Sequence, residues 1–166
     1  MNPPGIQRLF DRYNDAFLAR DAKRIAACYH VPCMTIRADG SFHIFESGAE
    51  IERFFATVSK TYHEEGMRSF EMRDVEVRMI GSESALVSME WFMKRADDTI
   101  IQNWRQSYNL LKQGDEWVFL LSTYLAHPND ADHRTGDCRR FPLRQCLFSG
   151  SGWRPTRPLS GRNKEI

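Results

Sequence analysis

At 166 residues, 42% hydrophobic and 27% charged, the sequence is sized and composed like one globular domain with a sizeable core. Its net charge of +1 argues against nucleic acid as a partner, and no apolar run approaches the ~20 residues of a membrane span. The opening MNPPGIQRLFDRYNDAF lacks the continuous apolar stretch of a signal peptide, so the expected location is cytoplasmic.

Asn2-Pro3-Pro4 signals a helix start, and Ile6, Leu9, Phe10, Tyr13 and Phe17 follow as one apolar stripe. Asp21 is placed to cap a second, short helix with Ile25, Cys28 and Tyr29 on one face, ended by Pro32. Cys33–Ala38 and Phe42–Phe45 flank Asp39-Gly40, a hairpin signal. Ser47-Gly48-Ala49-Glu50 fits a capping box opening a third helix to about Glu65, with Ile51, Phe54, Phe55, Val58 and Tyr62 on its inner face.

From Met67 to Ile80 the apolar positions switch from even (Phe70, Met72) to odd (Val75, Val77, Met79), which predicts a β-bulge near Arg73 or Asp74. Three strands follow between Ala85 and Leu125, with Val87, Met89, Trp91 and Met93, then Trp104, Gln106, Tyr108 and Leu110, then Trp117, Phe119 and Leu121 alternating. A two-residue turn at Asp97-Asp98 sets Trp91 opposite Trp104, Met89 opposite Gln106 and Val87 opposite Tyr108. It sets Glu90 opposite Arg105 on the other face, beside Ser88, Ser107 and Ser122.

After Leu125 the periodicity stops. Residues 127–166 carry 8 Lys and Arg against 4 Asp and Glu, whereas residues 1–126 carry 15 against 18, so the organisation expected is a domain over 1–126 and an irregular basic extension over 127–166. Trp153 is the residue of the extension with most to gain from burial, against a partner subunit.

The order helix, helix, hairpin, helix, bent strand and three-stranded meander resembles the α+β cone shared by nuclear transport factor 2-like (NTF2-like) proteins, ketosteroid isomerases and SnoaL-like polyketide cyclases. Phe10–Asp21, Ile25–His30 and Gly114–Phe119 carry the resemblance in detail. It implies a strongly bent, mainly antiparallel sheet wrapped around three helices, with an apolar pocket at the open end. It also implies homodimers, often through the opposite sheet face, and an aromatic sheet face serves either pocket or interface.

Ketosteroid isomerases need a carboxylate base and an oxyanion hole of a tyrosine and a protonated aspartic acid. The resemblance puts the tyrosine on Tyr13, but Ile36-Arg37-Ala38 stands where the base belongs and Asn103-Trp104 where the second acid belongs. His30, at the end of the second helix, is similar to the histidine of the dehydratase members, which also need a second histidine and an aspartate. Glu90 opposite Arg105 resembles the acid and arginine pair of epoxide hydrolases of this fold, or is an ordinary cross-strand ion pair. Arg37 is an anchor for an anionic group if it points inward, which alternation leaves open.

Cys28, Cys33, Cys138 and Cys146 have no C-x-x-C or zinc spacing, no two histidines stand at ligand spacing, and the phosphate-cradling and nucleophile-elbow motifs are missing. No metal, disulfide or cofactor is assigned. The expectation is a protein that binds a small apolar molecule, with isomerase, cyclase or dehydratase chemistry on a carbonyl or polyketide-like compound as the enzymatic options. Tyr13 and His30 are the candidate catalytic groups, and Arg37, Met89, Trp91, Trp104, Gln106 and Tyr108 the candidate ligand contacts. The alternative is a noncatalytic dimeric module.

Overall fold

The computed structural model describes residues 4–125; the expectations for the 127–166 extension and for Trp153 lie outside them. Helix α1 (Pro4–Leu18) buries Ile6, Leu9, Phe10, Tyr13 and Phe17 as its spacing requires. It ends at Arg20, whose φ of 55° lets Asp21 N–H reach Ala16 C=O at 2.9 Å and Arg20 N–H reach Phe17 C=O at 3.0 Å. Asp21 then caps α2 (Ala22–Ala26), accepting from Arg24 N–H at 3.0 Å.

The second helix is shorter than its apolar spacing suggested. Cys28 C=O accepts from Phe119 N–H at 2.9 Å, and from Tyr29 the chain is already strand β1 (Tyr29–Ile36). Sheet pairing overrides the helical pattern. Pro32, expected to stop a helix, sits in β1 where the pairing breaks register between Tyr29 and Met34, a place where its missing N–H costs no ladder bond. The Val31–Pro32 peptide bond is cis.

β1 pairs antiparallel with β2 (Phe42–Phe45) across the Asp39-Gly40 turn. Ser47 caps α3 (Gly48–Glu64) by accepting from Glu50 N–H, and Glu50 Oε2 accepts from Glu46 N–H rather than Ser47 N–H, so the capping box is displaced by one residue. Gly66, at φ 94°, turns the chain after α3.

β3 (Ser69–Met79), β4 (Ser84–Lys94), β5 (Ile100–Gln113) and β6 (Glu116–Leu125) complete a six-stranded sheet of order β2-β1-β6-β5-β4-β3. Among the described strands only β1 and β6 run parallel. The expected bulge lies between Arg73 and Glu76, with Asp74 at φ 49°. Trp91 faces Trp104, Met89 faces Gln106 and Val87 faces Tyr108. The turn differs from the two-residue form: Arg95 N–H bonds Thr99 C=O, Asp98 has φ 62°, and a register shift between Met93 and Lys94 absorbs the extra residue.

The sheet bends around the helices, and aromatic rings fill the contact. Phe10 of α1 lies 5.2–6.3 Å from the rings of Trp91, Tyr108 and Phe119, and Tyr62 of α3 lies 6.4 Å from Trp104. Such ring pairs contribute about 0.5–1.5 kcal/mol beyond the area they bury. No helix of the described residues is long and apolar enough to cross a membrane.

Candidate functional site

Alternation along β4 and β5 sends Met89, Trp91, Trp104, Gln106 and Tyr108 to the inner face. The deep part is dry: Met89 is 0%, Tyr108 1% and Trp91 2% exposed. A buried indole N–H needs an acceptor, and Trp91 Nε1 donates to the Tyr108 hydroxyl at 3.1 Å, while Trp104 Nε1 donates to Gln106 Oε1 at 3.0 Å. The two indoles stack at 6.4 Å.

One register break in β6 shapes the wall in a way alternation did not predict. Tyr108 pairs with Ser122, Asn109 with Leu121 and Leu110 with Phe119, so Leu120 and Leu121 together span a single residue of β5. The phase flips there. Leu121 leaves the inner face, and Ser122, expected outside beside Glu90, comes in with Tyr124 opposite Gln106. Ser122 Oγ donates to Thr35 Oγ1 at 3.1 Å, which ties β6 to β1 on the inner side. The signal for this was the unbroken apolar run Val118–Leu121, which has no period of its own.

Four tyrosines share the interior. The hydroxyls of Tyr13 and Tyr29 lie 3.1 Å apart, one donating to the other. Burial pushes Tyr13 well above the ordinary tyrosine range, reinforced by the neighbouring Tyr29. It does the same for Tyr29, beside Tyr108, and for Tyr108, beside Tyr13, with the Trp91 hydrogen bond opposing the rise. Tyr62 is raised by burial and by Tyr124. All four stay protonated at neutral pH and present hydroxyl donors.

The candidate catalytic pair separates. Tyr29 packs inward against Tyr13 and Phe55, so the next residue, His30, points to the opposite side of β1, where its Nδ1 meets Pro32 C=O at 2.8 Å. His30 is on a strand, not at a helix end.

Arg37 follows β1 in the phase of Cys33 and Thr35 and closes the hairpin, its Nη1 donating to Ser41 Oγ at 3.4 Å. Beside it on the hairpin, His43 Nε2 lies 3.0 Å from Glu50 Oε1 of α3, so α3 brings a carboxylate to a histidine that chain order left isolated. Cys33, on the same side, has its thiol pushed up to about 11 by burial and by Glu50, and is no nucleophile at neutral pH. Glu90 and Arg105 stand opposite one another as expected, and Glu90 Oε1 accepts from Asn103 Nδ2 at 2.6 Å.

The curled six-stranded sheet with its helices inside defines an NTF2-like cone. A family model described as NTF2-like protein (DUF6841) matches residues 4–127, and the chain belongs to that family. No curated protein matches it.

Among solved structures it is similar to an NTF-2 like protein of unknown function from Shewanella oneidensis MR-1, at 21% identity and TM-score 0.57 over 74% of this chain and 97% of that one. A protein of unknown function with a cystatin-like fold from Nostoc punctiforme PCC 73102 shares 14% identity, TM-score 0.61, over 75% and 90%. Aln2 from a Streptomyces species shares 11%, TM-score 0.62, over 79% and 96%. Likeness at this level carries fold and not activity.

Proposed function

We propose that the protein binds a small, largely apolar molecule carrying a hydrogen-bond acceptor, held at the wide end of the inner sheet face. The observation that carries this reading is a gradient along one wall: Met89 is fully buried, while its register neighbours Gln106 and Tyr124 are only partly so. In this reading Met89, Trp91 and Tyr108 form an apolar floor, Trp104, Gln106 and Tyr124 meet the ligand, and Arg37 lies at the rim for any anionic group. A dry aromatic floor with a few polar groups at its edge is the usual composition of a small-molecule site.

Binding is favoured over proton transfer. The ionisable groups that act on the Tyr13 hydroxyl are Tyr29, Tyr62 and the Cys28 thiol, none of them a base at neutral pH. Tyr13 serves as a donor within the hydroxyl cluster, and His30, on the other side of its strand, takes no part. The free thiols Cys28 and Cys33 suit a reducing, cytoplasmic setting.

Nuclear magnetic resonance of the tryptophan indole N–H groups tests the location. A ligand drawn from hydroxylated aromatics, steroids and short polyketides should shift the Trp104 signal and leave that of Trp117 unmoved. A ligand that moves Trp117 and not Trp104 would contradict the assignment.

A further inference from the structure

Asn14 breaks a local rule twice. Asparagine is a poor residue inside a helix, and its Oδ1 is shut off from solvent with no hydrogen-bond donor among the described residues. Leucine, of nearly the same shape, would serve the fold better on both counts. A choice that costs the helix and the interior alike points to a use outside the fold.

The rotation of α1 sets where that oxygen stands. Gly5 lies against the Trp117 indole and Arg12 pairs with Glu116, so one flank of the helix faces β6. Asn14 is on the opposite flank, one turn after Phe10, which meets Trp91, and one turn before Phe17, which meets Phe70. The side-chain N–H groups of that region are already committed: Trp91 to Tyr108, Trp104 to Gln106 and Gln7 to Asp11.

On this side the sheet is open. Met93, Trp91 and Val87 of β4 are buried, whereas their register partners on β3, Phe70, Met72 and Val77, are partly exposed, and Met79 beyond them is 42% exposed. The helices cover the inner face as far as β4 and leave an apolar margin between α1 and β3.

We propose that this margin binds a small apolar molecule through a hydroxyl group that donates to Asn14 Oδ1. The oxygen lacks a donor, and the rings and thioether around it disfavour a charged ammonium, so a hydroxyl meets the need with least desolvation. Met72, partly exposed and unbranched, is the side chain that moves to admit it. The free protein carries an unpaired acceptor, and the ligand relieves it. The inference needs no ligand at Trp104, Gln106 and Tyr124.

Calorimetric titration of the full chain with 1-naphthol and with 1-methoxynaphthalene, which keeps the rings and lacks the donor, tests it. The wild type should bind the naphthol at least about tenfold more tightly, and the naphthol should shift the side-chain amide resonances of Asn14. Asn14→Leu should lose that preference and melt no lower than the wild type, because it removes an unpaired acceptor. Gln106→Leu should keep the preference. No binding of 1-naphthol leaves the acceptor to a buried water and overturns the proposal. So does a preference that Asn14→Leu keeps, or one that Gln106→Leu abolishes, since the hydroxyl is then read at the wide end. An Asn14→Leu protein that melts well below the wild type overturns it too, because Asn14 is then satisfied within the fold.

Discussion

The hydroxyls of Tyr13 and Tyr29 meet at 3.1 Å, joining the first helix to the first strand inside the cone. Removing one partner leaves the other hydroxyl without its bond in a largely buried setting, which costs about 1–3 kcal/mol, whereas removing both leaves nothing unpaired. Tyr13→Phe and Tyr29→Phe should each lower stability by about that amount, with the double variant little worse than either. Denaturant midpoints of the four proteins check this; strictly additive losses would show that the two hydroxyls do not depend on one another.

The raised tyrosines give a definite alkaline limb. Tyr13, Tyr29, Tyr62 and Tyr108 ionise near 10.0 in the unfolded chain and higher in the folded one, so their contribution is complete below that pH and declines as pH rises above it. Each group that titrates only in the unfolded chain steepens the decline by about 1.4 kcal/mol per pH unit. Unfolding free energy followed by denaturation at increasing pH should fall from about pH 10, and less steeply in Tyr62→Phe.

On the acid side the sign reverses. Arg73 and Lys94 hold the Glu71 carboxyl down to about 2 against an ordinary 4.5, so its contribution is present above the ordinary value and lost as pH falls through the lower one. Glu71→Gln should make the acid limb shallower, and added salt should narrow the difference from wild type, because the cluster lies at the surface.

Asp74 holds the bulge of β3 at φ 49°, a conformation glycine adopts freely and β-branched residues resist. Asp74→Gly should leave stability unchanged or raise it by up to about 1 kcal/mol, and Asp74→Val should cost about 1–2 kcal/mol. Thermal unfolding of the two variants decides; equal melting temperatures would mean the backbone relaxes at that position.

Much of the fold was legible because its signals are local. The stripe of α1, the Ser47 cap, the parity switch at Arg73 and Asp74 and the pairing of Trp91 with Trp104 each follow from residues within one element or one hairpin. The errors arose where distant pairing decided. Tyr29 and His30 look helical until β6 supplies a parallel partner, and Ser122 looks outward until the two-for-one step at Leu120 and Leu121 reverses the phase. The pairing of His43 with Glu50 depends on how α3 lies over the hairpin, which no spacing encodes. At Asp97-Asp98 the turn holds one residue more than the spacing implies, and the register is the expected one because the shift beside Lys94 compensates for it.

The claim that the inner wall holds a small molecule at Trp104, Gln106 and Tyr124 is tested most directly by a thermal-shift screen of hydroxylated aromatics, steroids and short polyketides. The wild type is compared with Gln106→Leu. Binding to the folded state alone raises the melting temperature, so one compound class should raise that of the wild type by several degrees. Gln106→Leu, which leaves the Trp104 indole N–H without its acceptor, should start from a lower unliganded melting temperature and lose most of the rise measured from it. No shift from any class, or a shift that Gln106→Leu leaves untouched, would contradict the account.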